Sequence, residues 1–175
     1  MQHNAFNGSL KSIPTNQIKP TLSCAPLSLF KSGQLLYLTP ESQGGLILQN
    51  PYYADFVGPG AAVGSCFDIK CISVYAIGTV NFHAPVTYSE RLQAFQRRMG
   101  YIEKLKEILL EPSRFDRACL LLTQLCEWLG DDEARNIPHK LTAKLIAVQA
   151  EIVKKAWQQR LRETITKNSE TLIVP

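Results

Sequence analysis

Leu141-Thr142-Ala143-Lys144-Leu145-Ile146-Ala147 is the stretch on which the reading of this chain turns. It forms the core of a short helix, entered from an extended Ile137-Pro138. Thr142 is placed as its N-cap, because a threonine hydroxyl can bond amides that a first helical turn leaves open. A second helix follows closely, within Val148 to Arg162. No glycine there relieves a turn, so the stretch reads either as a helix set off by a break near Ala150 or as one continuous helix. Beyond it, Thr164 to Val174 alternates around a polar Lys167-Asn168-Ser169-Glu170 turn, the pattern of a small hairpin. On the other side, Pro112-Ser113 opens a helix with Phe115, Ala118, Cys119, Leu122, Cys126 and Leu129 on one face. Gly130 is the stop expected just past its end, and Asp131-Asp132-Glu133 follows as an acidic loop.

Further upstream the period is also helical. Leu92, Phe95, Met99 and Ile102 fall at alternating steps of three and four, and Leu105 and Leu109 continue the stripe after a slip. Thr87 or Ser89 caps the start, and Pro112 ends the helix near Glu111. A stripe this narrow suits a two-helix seam, and it equally suits packing on the chain's own β unit. Gly100 in mid-helix costs about 1 kcal/mol relative to Ala and marks a close contact with a partner helix.

Between Ser32 and Ala84 the signal is β. Gln34 to Leu38, Gly45 to Gln49 and Ile69 to Ile77 are short and apolar, and are separated by turns at Thr39-Pro40-Glu41-Ser42-Gln43-Gly44, Gln49-Asn50-Pro51 and Gly58-Pro59-Gly60. They predict a small antiparallel unit that must lean on something else to bury its face. Residues 1 to about 30, punctuated by Pro14, Pro20 and Pro26, read as a mobile arm.

With 45% hydrophobic and 19% charged residues in 175, the chain can bury a core. The net charge of +4 is small, but its distribution is uneven. Lys140 to Lys167 holds seven Lys/Arg against two Glu, whereas Met1 to Pro85 holds four against three acids. That excess attracts phosphates, or it is simply a solvated polar face. Five cysteines without a CxxC pair fit reduced thiols in the cytoplasm, with Cys119 and Cys126 as small core residues. Three scattered histidines give no metal-ligand spacing, and no cofactor motif is present. Met1-Gln2-His3-Asn4 opens no signal peptide, and no apolar run reaches membrane-span length. Without GxSxG, P-loop or HExxH, and with Ser65 and Cys66 lacking a positioned base, the chain does not read as an enzyme.

The order of elements resembles that of the Crp/Fnr transcription regulators, cyanobacterial nitrogen regulators among them. Phe56-Val57-Gly58-Pro59-Gly60-Ala61-Ala62-Val63-Gly64 resembles the family's glycine-bearing β-roll turn. Pro85-Val86-Thr87-Tyr88-Ser89-Glu90-Arg91-Leu92 resembles its entry into the dimer helix. Arg117-Ala118-Cys119-Leu120-Leu121-Leu122 with Leu129-Gly130 resembles the first helix of its DNA-binding domain, and Ile137 to Thr142 with Ile146-Ala147 resembles the lead into its helix-turn-helix. The likeness spans Ser32 to Pro175.

The resemblance implies an α+β fold in four parts: a flexible N-terminal arm (1–31), a truncated sensor-like β-roll (32–85), a dimerisation helix (86–111) and a C-terminal winged helix-turn-helix (112–175). It implies a homodimer on double-stranded DNA, with another regulator or RNA polymerase as a further partner. Leu92, Phe95, Met99, Ile102, Leu105 and Leu109 would form the dimer interface. Thr142, Lys154, Lys155, Gln158 and Gln159 would approach the groove, with Arg160, Arg162 and Lys167 on phosphates.

The chain departs from the family where chemistry matters most. The usual recognition-helix arginines are replaced by Lys154 and Gln158-Gln159; Lys neutralises a phosphate but lacks the arginine fork for guanine, while Gln can read adenine. Ser65-Cys66-Phe67 stands where cyclic-nucleotide-binding members carry an acidic residue, and no Arg lies between Met1 and Glu90. The N-terminus also lacks the cysteine cluster of iron–sulfur members. The expectation is a regulator that does not respond to cyclic nucleotide. The alternative is a degenerate member that acts as a protein adaptor.

Overall fold

Short apolar runs broken by turn residues build two small antiparallel sheets, and capped amphipathic segments build the helices packed against them. The computed structural model describes residues 27–171; residues 1–26 and 172–175, and the side chains of 29 and 164–171, lie outside the described set. The N-terminal arm expectation therefore falls mostly outside it. Helix α1 (Leu27–Lys31) leads into β1 (Leu35–Leu38), β2 (Gln43–Gln49), β3 (Ala54–Val57), β4 (Ala62–Gly64), β5 (Ser73–Thr79) and β6 (Phe82–His83). Then come α2 (Tyr88–Leu109), α3 (Arg114–Leu129), α4 (Asp131–Arg135), α5 (His139–Leu145) and α6 (Ala150–Thr171). The class is α+β, as expected. No described helix is long and apolar enough to cross a membrane.

One sheet has the order β4-β1-β6 and the other β3-β2-β5, both antiparallel. Alternation along β2 assigns its neighbours to opposite sides. Leu46 and Leu48 join Val57, Val74 and Ala76 in a core shared with Leu36, Leu38 and Val63 of the first sheet. Ile47 joins Phe56 and Ile77 in a second core with Leu105, Leu121, Leu125, Ile146 and Val153 from the helices. The β3-β2-β5 sheet is thus a middle layer, and the β unit leans on helices as its apolar faces require. The second core crosses from the β unit into the helices after residue 112.

Two strands were hidden in a stretch read as turn. β3 and β4 flank Gly58-Pro59-Gly60, and Gly60 and Gly64 have φ of 78° and 82°, which glycine adopts without Cβ strain. At Gly58 a Cβ would strike the Tyr101 ring, whose hydroxyl donates to the Pro59 carbonyl at 3.4 Å. Conversely, Ile69 to Ile72 lies ahead of β5, in a loop closed by Cys71 N–H donating to Asp68 O.

Helix α2 begins with a capping box: Thr87 Oγ1 accepts from Glu90 N–H, and the Glu90 carboxylate accepts from Thr87 and Val86 N–H. Ser113 caps α3 through Asp116 N–H, and Gly130 ends it at φ 85°. Several expectations are corrected. Phe30, assigned to the arm, is fully buried beside Phe82. Asp131-Asp132-Glu133 is the helix α4 and not a loop, because carboxylates in a first turn favour the positive helix end.

Thr142 is not an N-cap. Helix α5 starts three residues earlier, after Pro138, and Thr142 is buried inside it with Oγ1 3.5 Å from the Pro138 carbonyl. Nor do Thr164 to Thr171 form one arm of a hairpin, since α6 runs through them. A helix already anchored by packing extends at little cost where no Gly or Pro stops it, while a lone two-stranded hairpin is marginal.

Arg98 of α2 is buried and its Nη2 lies 3.3 Å from Asp68 and 3.5 Å from Asp55. Asp68 also accepts from Gly64 N–H at 2.7 Å. Burial raises both carboxyls above the usual 3.8, and Arg98 only partly offsets it. A raised folded pKa means stability that is full below the unfolded value and lost as pH rises through the folded one. Arg98→Met strands the buried Asp68 carboxylate and the half-buried Asp55 and should cost about 3–5 kcal/mol at pH 7 by urea unfolding. The deficit should shrink as pH falls toward 3.8, where the stranded carboxyls take up protons. A deficit independent of pH would place the loss elsewhere.

Candidate nucleic-acid interface and pairing helix

Between α5 and α6 the chain breaks sharply. Ala147 takes φ 53°, a left-handed conformation that costs a non-glycine residue about 1–2 kcal/mol. One local and one tertiary bond hold the turn where glycine would otherwise be expected: Val148 N–H donates to Ala143 O, and Arg117 Nη1 donates to Ile146 O at 3.2 Å. Packing completes the hold. Leu141, Leu145, Ile146, Val153, Ala156 and Trp157 turn inward into the core that also holds Leu121, Leu122 and Leu125 of α3.

With Val153, Ala156 and Trp157 inward, the opposite face of α6 meets solvent. Glu151, Lys154, Lys155, Gln158 and Arg162 are all exposed, and steps of three, four, seven and eleven from Glu151 align them on one side. Lys140 and Lys144 of α5 are exposed as well. Four of the expected groove or phosphate residues, Lys154, Lys155, Gln158 and Arg162, are therefore brought together, with Glu151 as an acidic intruder. Gln159 sits on the flank, its amide donating to Glu163 at 2.9 Å. Arg160 is a correction: it folds back onto Thr123 Oγ1 at 3.1 Å and Asp131 at 3.6 Å, so it ties α6 to α3 and α4. Thr142 is a second correction, because it is buried and cannot touch a groove. The side chain of Lys167 lies outside the described residues.

On α2 the apolar residues divide between two faces. Leu105, with Ala94 and Ile108, is buried against the body of the protein, so it cannot belong to an outward seam. Leu92, Met99 and Leu109 remain exposed, while Phe95 and Ile102 are half-buried between the faces. Gly100 is also open, with nothing within 4 Å of the place a Cβ would take. The inward face docks through rings: Tyr101 meets Phe56 and Trp128 edge-on, and Phe56 stacks on Trp128 at 4.7 Å.

Sequence reasoning missed two arginines that organise this arrangement. Arg98 is supplied by α2 from 30 residues downstream of Asp68 and is already neutralised by two carboxylates. Among the described residues its Nε and Nη1 have no hydrogen-bond partner. Arg117 donates through Nε and Nη2 to Glu111 O at 3.0 and 2.7 Å, while its Nη1 reaches Ile146. One guanidinium thus joins the exit of α2 to the α5–α6 turn. Nothing in local periodicity marks either contact, since both partners of Arg117 are backbone carbonyls.

Three of the described cysteines are held in the thiol form. Cys126 is pushed up to about 11 by burial and its hydrogen bond to Asp131, and burial also raises Cys71 and Cys119. A groove of about 420 Å³ separates the β3–β4 turn from α2, with Arg97 and Glu90 as its charged lining residues. The Glu90 carboxylate is occupied by the helix cap.

Arg117→Ala should cost about 2–3 kcal/mol in urea unfolding, since hydrogen bonds from a charged donor are worth more than neutral ones. Arg117→Lys should recover only part, because one ammonium cannot reproduce the guanidinium's fork. Equal stability in all three proteins would mean that the guanidinium does not clamp the turn. No protein-family model matches the chain, and no curated protein is significantly similar to it.

Proposed function

We propose that this protein is a DNA-binding transcription regulator of the Crp/Fnr type that works as a homodimer in the cytoplasm without cyclic nucleotide. The observation that carries this reading is the break at Ala147. It frees the basic face of α6 from α5 and points it at solvent. In this reading α5 and α6 form a helix-turn-helix without a hairpin wing over Thr164 to Thr171, and the β unit is a reduced sensor roll. Lys154, Lys155 and Arg162 neutralise phosphates, and Gln158 is the side chain suited to a base edge, by the two-bond pairing of glutamine with adenine. Two copies joined along α2 would present two such faces to successive turns of the duplex. The single acidic Glu151 and the absence of arginine at 154 and 155 favour modest sequence preference over strong base reading.

Replacing Lys154 and Lys155 together by Ala should weaken duplex binding and lower the salt slope by about two, roughly one for each phosphate no longer neutralised. Anisotropy titrations of labelled genomic fragments over a range of salt measure both. An unchanged slope would sink the assignment of this face.

A second reading has its own observation. Large exposed apolar side chains gather on α2 and the loops beside it, while the described side chains of α6 contribute Leu161. An adaptor that retained its pairing helix and lost DNA would show the same surface. Absence of binding even at low salt would favour it.

A further inference from the structure

Between α2 and α3 runs an open groove in two parts that meet at Lys104, of about 390 and 310 Å³. The part nearer the start of α2 has Arg97, Gly100 and the rings of Tyr101 and Trp128 in its lining. The other part has Ile108 and Leu120 as its apolar residues, with Glu107 and Glu127 beside them. Helix α3 thus runs back along α2. Trp128 faces the Arg97 end, and Leu120, 48% exposed, faces the Ile108 end.

The walls change sign along this length. Arg97 makes no ion pair among the described residues, and Lys104 meets Glu107 at 3.1 Å in an exposed contact that holds it weakly. Glu127, at the other end, accepts from the Gln124 amide at 2.8 Å. A nucleic acid carries negative charge at every step and would be repelled by Glu107 and Glu127. A compact metabolite is too short, because Arg97 and Ile108 stand on one helix about 16 Å apart. An extended peptide covers that distance with about five residues. The floor is already fixed: the Tyr101 hydroxyl donates to the Pro59 carbonyl, and Trp128 meets Tyr101 edge-on while stacked on Phe56. Docking therefore orders little of the protein. Gly100 has nothing within 4 Å of the place a Cβ would take, which leaves room for a second backbone.

We propose that this groove docks an extended segment of a partner protein, with an acidic side chain on Arg97 and an apolar one about five residues away on Ile108 and Leu120. A guanidinium pairs a carboxylate through two parallel bonds, so Arg97 at the head of an aromatic-floored groove is the anchor. The far end supplies apolar burial, and Glu107 and Glu127 reject a second acid there. The site goes beyond the DNA reading, since none of these residues belongs to the basic face of α6.

Fluorescence anisotropy of the full chain with labelled eight-residue peptides tests this, in both chain directions. The peptides carry two aspartates at one end, a Gly/Ser spacer, and two leucines at the other; controls replace the aspartates by asparagine or the leucines by serine. Saturable binding of the first peptide is expected. Its affinity should fall about ten-fold with asparagine in the peptide or with Arg97→Gln, as one charged contact is lost. Leucine-to-serine peptides and Leu120→Ser should each weaken it roughly five-fold. Gly100→Glu sets a carboxylate into the groove and should abolish binding, while its thermal unfolding stays at or above that of wild type, glycine being the weaker helix former. Replacing Lys154 and Lys155 by Ala should leave peptide affinity unchanged, so this site and the DNA face stand or fall separately. Equal binding of the asparagine peptide, displacement by a single-stranded oligonucleotide, unchanged affinity in Gly100→Glu, or no binding at millimolar peptide would each overturn the proposal.

Discussion

The sheet β3-β2-β5 has no free face, and the rest of the molecule follows from that constraint. Leu46 and Leu48 point to one side and Ile47 to the other, each fully buried. A middle layer of this kind requires cover on both sides. The β4-β1-β6 sheet supplies one cover, and helices supply the second. Because the strands are short, neither cover can stand alone; each exposes its own apolar surface when removed. The helices after residue 112 therefore dock directly on the β unit and share one core with it.

That sharing bears on any function that uses α2 and α6 together. Phe56, Tyr101 and Trp128 form a three-ring cluster joining β3, α2 and α3. Arg117 then joins the end of α2 to the turn before α6. Between the exposed stripe of α2 and the basic face of α6 there is thus a continuous path of packed rings, buried aliphatics and charged hydrogen bonds. Such a path fixes relative orientation more firmly than a linker would. Two copies paired along α2 would hold their basic faces at a set spacing, and rigid spacing is what a two-fold duplex site reads.

Much of this was legible in local sequence. Thr87, Ser113 and Gly130 mark helix boundaries because capping depends on neighbours three or four residues away. Leu35 to Leu38 and the central residues of β2 and β5 declare themselves by composition. β3 and β4 did not, because four residues and three residues around a glycine-proline turn carry too little period to count. Asp131 to Glu133 misled through polarity, and Thr164 to Val174 misled through alternation. In both cases a helix won on continuity with what came before it. Thr142 resembled a cap until the helix began at His139 and carried it inside.

The sequence by itself determined where α2 and α3 start, which residues are apolar, and that positive charge accumulates after Lys140. These are properties of neighbours along the chain. Tertiary structure alone decided which of those residues face outward. It buried Leu105, turned Arg160 onto Asp131, and brought Arg98 to Asp55 and Asp68. It also made Ala147 hold a turn in which glycine was expected. The reason is common to all four: each outcome is set by partners distant in sequence, and burial and hydrogen-bond satisfaction are summed over the whole fold and not along the chain.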